Sequence, residues 1–87
     1  MEPGIVLTKT GQDVLVTLQQ AGAGWLSRSD IAARMAQRTK LYENEVEALN
    51  TLVVNGLAET MFRQEGRNGA RVHPVYRITE AGKSLLS

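Results

Sequence analysis

The 87-residue chain carries ten basic and nine acidic residues, a formal net charge of +1, with 43% hydrophobic and 22% charged residues. These proportions are globular and exclude a disordered tail or a coiled coil. The length fits one domain, and the absence of cysteine excludes a disulfide framework and a thiolate metal site.

The N-terminus "MEPGIVLTKTG" has no basic start and only a three-residue apolar run, so it does not read as a secretory signal. No apolar stretch approaches the roughly 20 residues that cross a bilayer. The expectation is a cytoplasmic protein with no membrane partner. Charge is unevenly spread along the chain. "ENEVE" at 43–47 holds three acids and no base, whereas "RQEGRNGARVHPVYR" at 63–77 holds four arginines against the single acid Glu65.

Residues 1–9 read as an N-terminal arm. The first helix is predicted to begin near Thr10, with Val14, Leu15, Leu18 and Ala21 on one face. Thr10 and Asp13 have capping-box spacing, and Gly22 and Gly24 stop the helix. Val16 points away from the buried face. Trp25 and Leu26 form a short extended piece. Ser27 is the expected cap of a second helix, with Asp30 three residues on. Ile31 and Met35 share that helix's inner face, Ala32 and Ala33 allow close approach of a neighbour, and the helix ends near Gln37.

The third and longest helix lies within "RTKLYENEVEALNTLVVNGLAE", with Val46, Leu49, Leu52 and Val53 as its buried stripe. Acids at its start suit the helix dipole. Gly56 followed by Leu57 predicts a Schellman-type stop, which closes a helical core spanning 10–57. The period then changes. "LAETMFRQ" and "VHPVYRIT" alternate as strands of a hairpin at 58–78, with Phe62, Val72, Tyr76 and Ile78 expected inward. Asn68-Gly69 turns the chain. Pro74 has no amide hydrogen, so its strand is expected to lie at an edge or to begin there. Residues 79–87 read as a short terminal helical turn, capped by Thr79, with Leu85 and Leu86 docked on the core.

The segment "LSRSDIAARM" resembles the second helix of bacterial winged-helix regulators. "EALNTLVVNGLAE" is similar to the end of their recognition helix, and "YRITEAGKSLL" resembles the segment that closes the wing in MarR-like and PadR-like repressors. The resemblance covers residues 10 to 87. It implies an α+β winged helix-turn-helix: a three-helix core, a small antiparallel β-sheet wing and a short C-terminal helical turn. Those repressors carry extra dimerisation helices that have no counterpart here, so a homodimer would use "GIVL", the first helix or the last turn.

Enzymatic chemistry finds little support. His73 is the single histidine and lies in a basic loop, where neither a metal ligand set nor a Ser-His-acid triad can be assembled around it. "GRNGAR" lacks the strand-then-helix setting of a nucleotide loop. No cofactor, metal or small-molecule ligand is expected.

The resemblance implies that the third helix enters the major groove of double-stranded DNA. With Val46, Leu49 and Val53 inward, helical spacing points Asn44, Glu47, Ala48 and Thr51 outward, with Lys40 and Tyr42 just before them. Asn can pair with adenine, Glu can accept from cytosine, and Ala or Thr can meet a thymine methyl. Arg63, Arg67 and Arg71 in the wing would reach phosphates or a narrow minor groove. Arg28, with Arg34, Arg38 and Lys40, would add backbone contacts. Arg77, inside a strand, is equally suited to a structural ion pair. The alternative expectation is a winged-helix module that binds protein rather than DNA, with "ENEVE" meeting a basic partner. RNA is less favoured because no aromatic stacking platform is evident.

Overall fold

The chain runs as helix, short strand, two helices, hairpin and closing helix. The computed structural model describes residues 7–69 and 71–86; residues 1–6 of the expected arm, including most of "GIVL", lie outside the described residues. The elements are α1 (Lys9–Gln20), β1 (Leu26–Ser27), α2 (Arg28–Ala36), α3 (Glu43–Val54), β2 (Ala58–Glu65), a 3-10 turn (Arg67–Gly69), β3 (Arg71–Ile78) and α4 (Glu80–Leu86). The fold is α+β, with four helices and an antiparallel three-stranded sheet of order β1-β3-β2. No helix among the described residues is long and apolar enough to cross a membrane.

Local signals set most boundaries. Thr8, not Thr10, caps α1: its extended backbone suits a cap, and its Oγ1 accepts from the Gly11 amide at 3.0 Å. Thr10 sits inside the helix. At α2 the expected capping box forms. Ser27 Oγ accepts from the Asp30 amide, and the Asp30 carboxylate accepts from the Ser27 amide, each at 3.1 Å. α2 stops at Gln37, whose φ of 57° places it in the left-handed region.

α3 ends in a full Schellman motif. The Gly56 amide donates to the Val53 carbonyl at 3.0 Å, and the Leu57 amide donates to the Leu52 carbonyl at 2.9 Å. Gly56 has φ +74°, a conformation that favours glycine.

The core joins three layers of sequence. Val14, Leu15 and Leu18 of α1 meet Ile31 of α2, Leu49 and Leu52 of α3, and Leu26, Tyr76 and Ile78 of the sheet. Ala32 is buried but Ala33 is exposed, so one alanine rather than two allows the close approach. Val46 and Val53 are half-buried flanks of the α3 stripe, whose third buried member is Glu45.

β2 and β3 pair from Ala58↔Ile78 to Glu65↔Arg71. β1 covers β3 only at Val75 and Tyr76. The pairs from Phe62↔Pro74 outward therefore form a two-stranded extension, about 13 Å long at roughly 3.3 Å per residue. There Phe62 is 69% exposed and Val72 is 56% exposed, against the expectation that both point inward. They share a face with Tyr76 and Ile78, but the helices do not reach them. Pro74 lies mid-strand, beyond the end of β1, where β3 has a neighbour on one side only. Gly66, Asn68 and Gly69 adopt positive φ at the tip.

α4 is tied to the end of α3 through Thr79. Its Oγ1 donates to the Gly56 carbonyl at 2.6 Å and accepts from the Gly82 amide at 3.1 Å. Leu86 packs partly on the core, whereas Leu85 is 42% exposed and does not dock.

Candidate nucleic-acid interface

The hairpin extension carries three arginines that form no ion pair among the described residues, although Glu65 stands across from Arg71 in the strand register. Arg67 and Arg71 are exposed at its tip, and Arg63 is half-buried lower down. None of the three has a carboxylate partner among the described residues. Glu65, the acid of this segment, instead lies 3.7 Å from His73 Nε2. Four cations elsewhere are engaged, Lys9 with Asp13, Arg38 with Glu45, Arg77 with Glu59, and Lys83 with Glu80, whereas Arg28, Arg34 and Lys40 form no ion pair among the described residues. Arg77 also stacks over Trp25, 4.3 Å from the ring centroid, which gives it the structural role.

Arg28, the first residue of α2, donates from Nε to the Tyr76 hydroxyl at 3.2 Å. Its side chain is therefore partly committed to the sheet, although the residue remains exposed. Arg38 is not available for phosphate. It donates from both terminal nitrogens to Glu45, at 2.9 and 2.7 Å, and one of them also donates to the Lys40 carbonyl at 3.0 Å. Lys40 and Arg34 are exposed and form no ion pair among the described residues.

At the start of α3, Glu45 is only 6% exposed. The Arg38 bonds hold its carboxyl below the usual glutamate range, against the opposing effect of burial; the Tyr42 amide, donating at 2.7 Å, adds to the lowering. Tyr42 is 61% exposed and lies under the Arg38 guanidinium, 3.8 Å from its ring centroid. Neither partner's role follows from the dipole argument alone. The spacing of seven residues across a turn carries no periodic signal that would have identified the pair.

The remaining α3 residues divide between two sides. With Glu45, Leu49 and Leu52 buried, the opposite crest is Glu43, Glu47, Asn50 and Val54, all exposed. Asn44, Glu47, Ala48 and Thr51 line a groove of about 330 Å³ against Leu7, Thr8, Thr10 and Gly11 at the start of α1. The expected base-facing set is thus brought together but displaced toward α1, and Ala48 is half-buried rather than outward. The Thr51 hydroxyl donates to the Glu47 carbonyl at 3.0 Å.

On its other flank α3 faces the hairpin. Asn50, Val53 and Val54 share a groove of about 540 Å³ with Arg28, Thr60, Phe62, Pro74 and Tyr76. Asn50 and Phe62 were not among the expected contacts. Asn50 follows from the helical wheel once Glu45 is placed inside, and the exposure of Phe62 follows only from how far the helices extend over the sheet. No family model matches the chain, and comparisons with the curated proteins and with solved structures find no significant match.

Proposed function

We propose that the protein is a winged helix-turn-helix DNA-binding domain, a small cytoplasmic transcriptional regulator acting without a cofactor. The observation that carries this reading is the projecting hairpin tip, where Arg67 and Arg71 are exposed and have no carboxylate partner among the described residues. Such guanidinium groups match phosphate geometry and the negative potential of a narrow minor groove. α3 enters the major groove and presents Asn44, Glu47, Asn50 and Thr51 to base edges. Lys40 and Arg28 contact the backbone beside it. The ion pair between Glu45 and Arg38 offsets one negative charge at the α3 start, so Glu43 and Glu47 are the acids that face phosphate.

A second reading, a protein-binding module, draws on a different observation. Val54 is 83% exposed and Phe62 is 69% exposed within one groove. Binding to mixed duplex DNA across a salt series separates the two. Under the DNA reading, Arg67→Ala/Arg71→Ala weakens binding and lowers the slope of log K against log salt by about 0.9 per lost phosphate contact. Absence of binding at low salt by the wild-type chain overturns it in favour of the protein-binding module.

A further inference from the structure

β2 is an edge strand. The sheet order β1-β3-β2 leaves its outer side without a strand among the described residues, along eight residues from Ala58 to Glu65. An unpaired strand edge presents amides and carbonyls ready to pair with another chain. Met61 is 46% exposed at the middle of this edge, and Phe62 beside it is 69% exposed.

We infer that β2 pairs antiparallel with β2 of a second copy of this chain, centred on Met61, to form a continuous six-stranded sheet across a two-fold axis. The charges choose the register. A two-fold perpendicular to the sheet keeps side-chain faces matched, so the available registers differ by whole steps of the pleat. Centring on Met61 sets Glu59 opposite Arg63 of the second copy, and the symmetry repeats the pair. Centring on Phe62 instead opposes Glu59 and Glu65, a like-charge pair, twice. Centring on Arg63 opposes that arginine to itself. Centring on Thr60 leaves Arg63 beyond the paired strand and loses the match.

Two further observations fit the Met61 register. Arg63 has no carboxylate partner within its own chain among the described residues. Glu59 bonds Arg77 through Oε1 at 3.1 Å and lies on the same face of the sheet as Arg63. In the same register Phe62 of the second copy lies opposite Thr60, which lines the groove with Val53 and Val54. Phe62 of each copy thereby covers the groove of the other. Arg63 then belongs to the dimer, while Arg67 and Arg71 lie beyond the paired residues.

The test is sedimentation velocity on the full chain over a concentration series, without nucleic acid. The wild type forms a concentration-dependent dimer. Arg63→Glu alone and Glu59→Arg alone each place like charges opposite one another twice, and each weakens the dimer by about tenfold or more. Mixed one to one, the two variants restore opposite charges at both pairs and form a heterodimer. Circular dichroism of each variant checks that it remains folded, and hydrogen exchange of the β2 amides in the wild type shows protection that rises with concentration. A wild type that stays monomeric into the millimolar range overturns the inference, as does a mixture no more associated than its components. Because this experiment contains no DNA, a monomeric result overturns the dimer without touching the DNA reading, which the salt series tests separately.

Discussion

Arg38 and Glu45 meet through two charge-assisted bonds that bridge the turn between α2 and α3. The same guanidinium holds the Lys40 carbonyl and covers the Tyr42 ring, and the same carboxylate receives the Tyr42 amide. One ion pair therefore ties the turn to Tyr42, the residue at the cap of α3.

Glu45→Gln keeps the shape of the side chain but removes its charge. It is expected to destabilise the fold by about 1–2 kcal/mol through weakened hydrogen bonds. A domain of this size shifts its unfolding midpoint by roughly 4–8 °C per kcal/mol, which thermal denaturation at neutral pH reads directly.

The same pair has a defined pH dependence. The folded-state ionisation of Glu45 is depressed, chiefly by the Arg38 hydrogen bonds. The unfolded state therefore binds the proton more readily, and stability falls on acidification. The contribution is complete above the ordinary glutamate value of about 4.3 and disappears as pH drops through the lower folded value. Midpoints measured from neutral to acid pH should show the gap between wild type and Glu45→Gln closing in that window.

Thr79 connects two helices through one hydroxyl. Thr79→Ala removes both the bond to the Gly56 carbonyl and the cap on the Gly82 amide, and is expected to cost about 1–2 kcal/mol. Thr79→Ser retains the hydroxyl and should recover most of that in chemical denaturation.

Gly82 permits α4 to lie directly on the α3–β2 junction. A β-carbon there would collide with the Leu57 carbonyl oxygen and come within 2.8 Å of Ile78 Cγ1. Gly82→Ala should therefore destabilise by about 1–3 kcal/mol despite its better helix propensity. Urea unfolding of the variant measures this, and an unchanged midpoint would contradict the close packing.

On the DNA reading, the wing and α3 divide their work. Asn44→Ala is expected to alter preference among duplex sequences by about 1–3 kcal/mol while leaving the salt slope nearly unchanged. Competition binding across a panel of sequences, repeated at two salt concentrations, distinguishes this from the uniform weakening expected of Arg67→Ala.

Local chemistry was legible in the chain. Ser27 with Asp30, and Gly56 with Leu57, are caps whose partners lie within a few residues, so spacing alone specified both helix ends. The apolar stripe of α1, Leu49 and Leu52 of α3, the switch to alternating residues after Leu57 and the turn at Asn68-Gly69 followed for the same reason. So did the clustering of Arg63, Arg67 and Arg71 on one hairpin.

What only the tertiary structure decided depends on distant neighbours. Alternation put Phe62 and Val72 on the face of Tyr76 and Ile78, but β1 and the helices end before reaching them, so they remain exposed. Leu85 likewise has a helical address but no surface to dock on. Helical spacing placed Asn44, Ala48 and Thr51 outward, and the start of α1 turned that face into one wall of a groove. Glu45 read as a residue at the positive end of a helix dipole; packing made it a buried partner of Arg38, because the α2–α3 turn brings that guanidinium within bonding distance. Periodicity fixes which way a side chain points, whereas burial and pairing require knowing what lies opposite, and that is set by the packing of elements far apart in the chain.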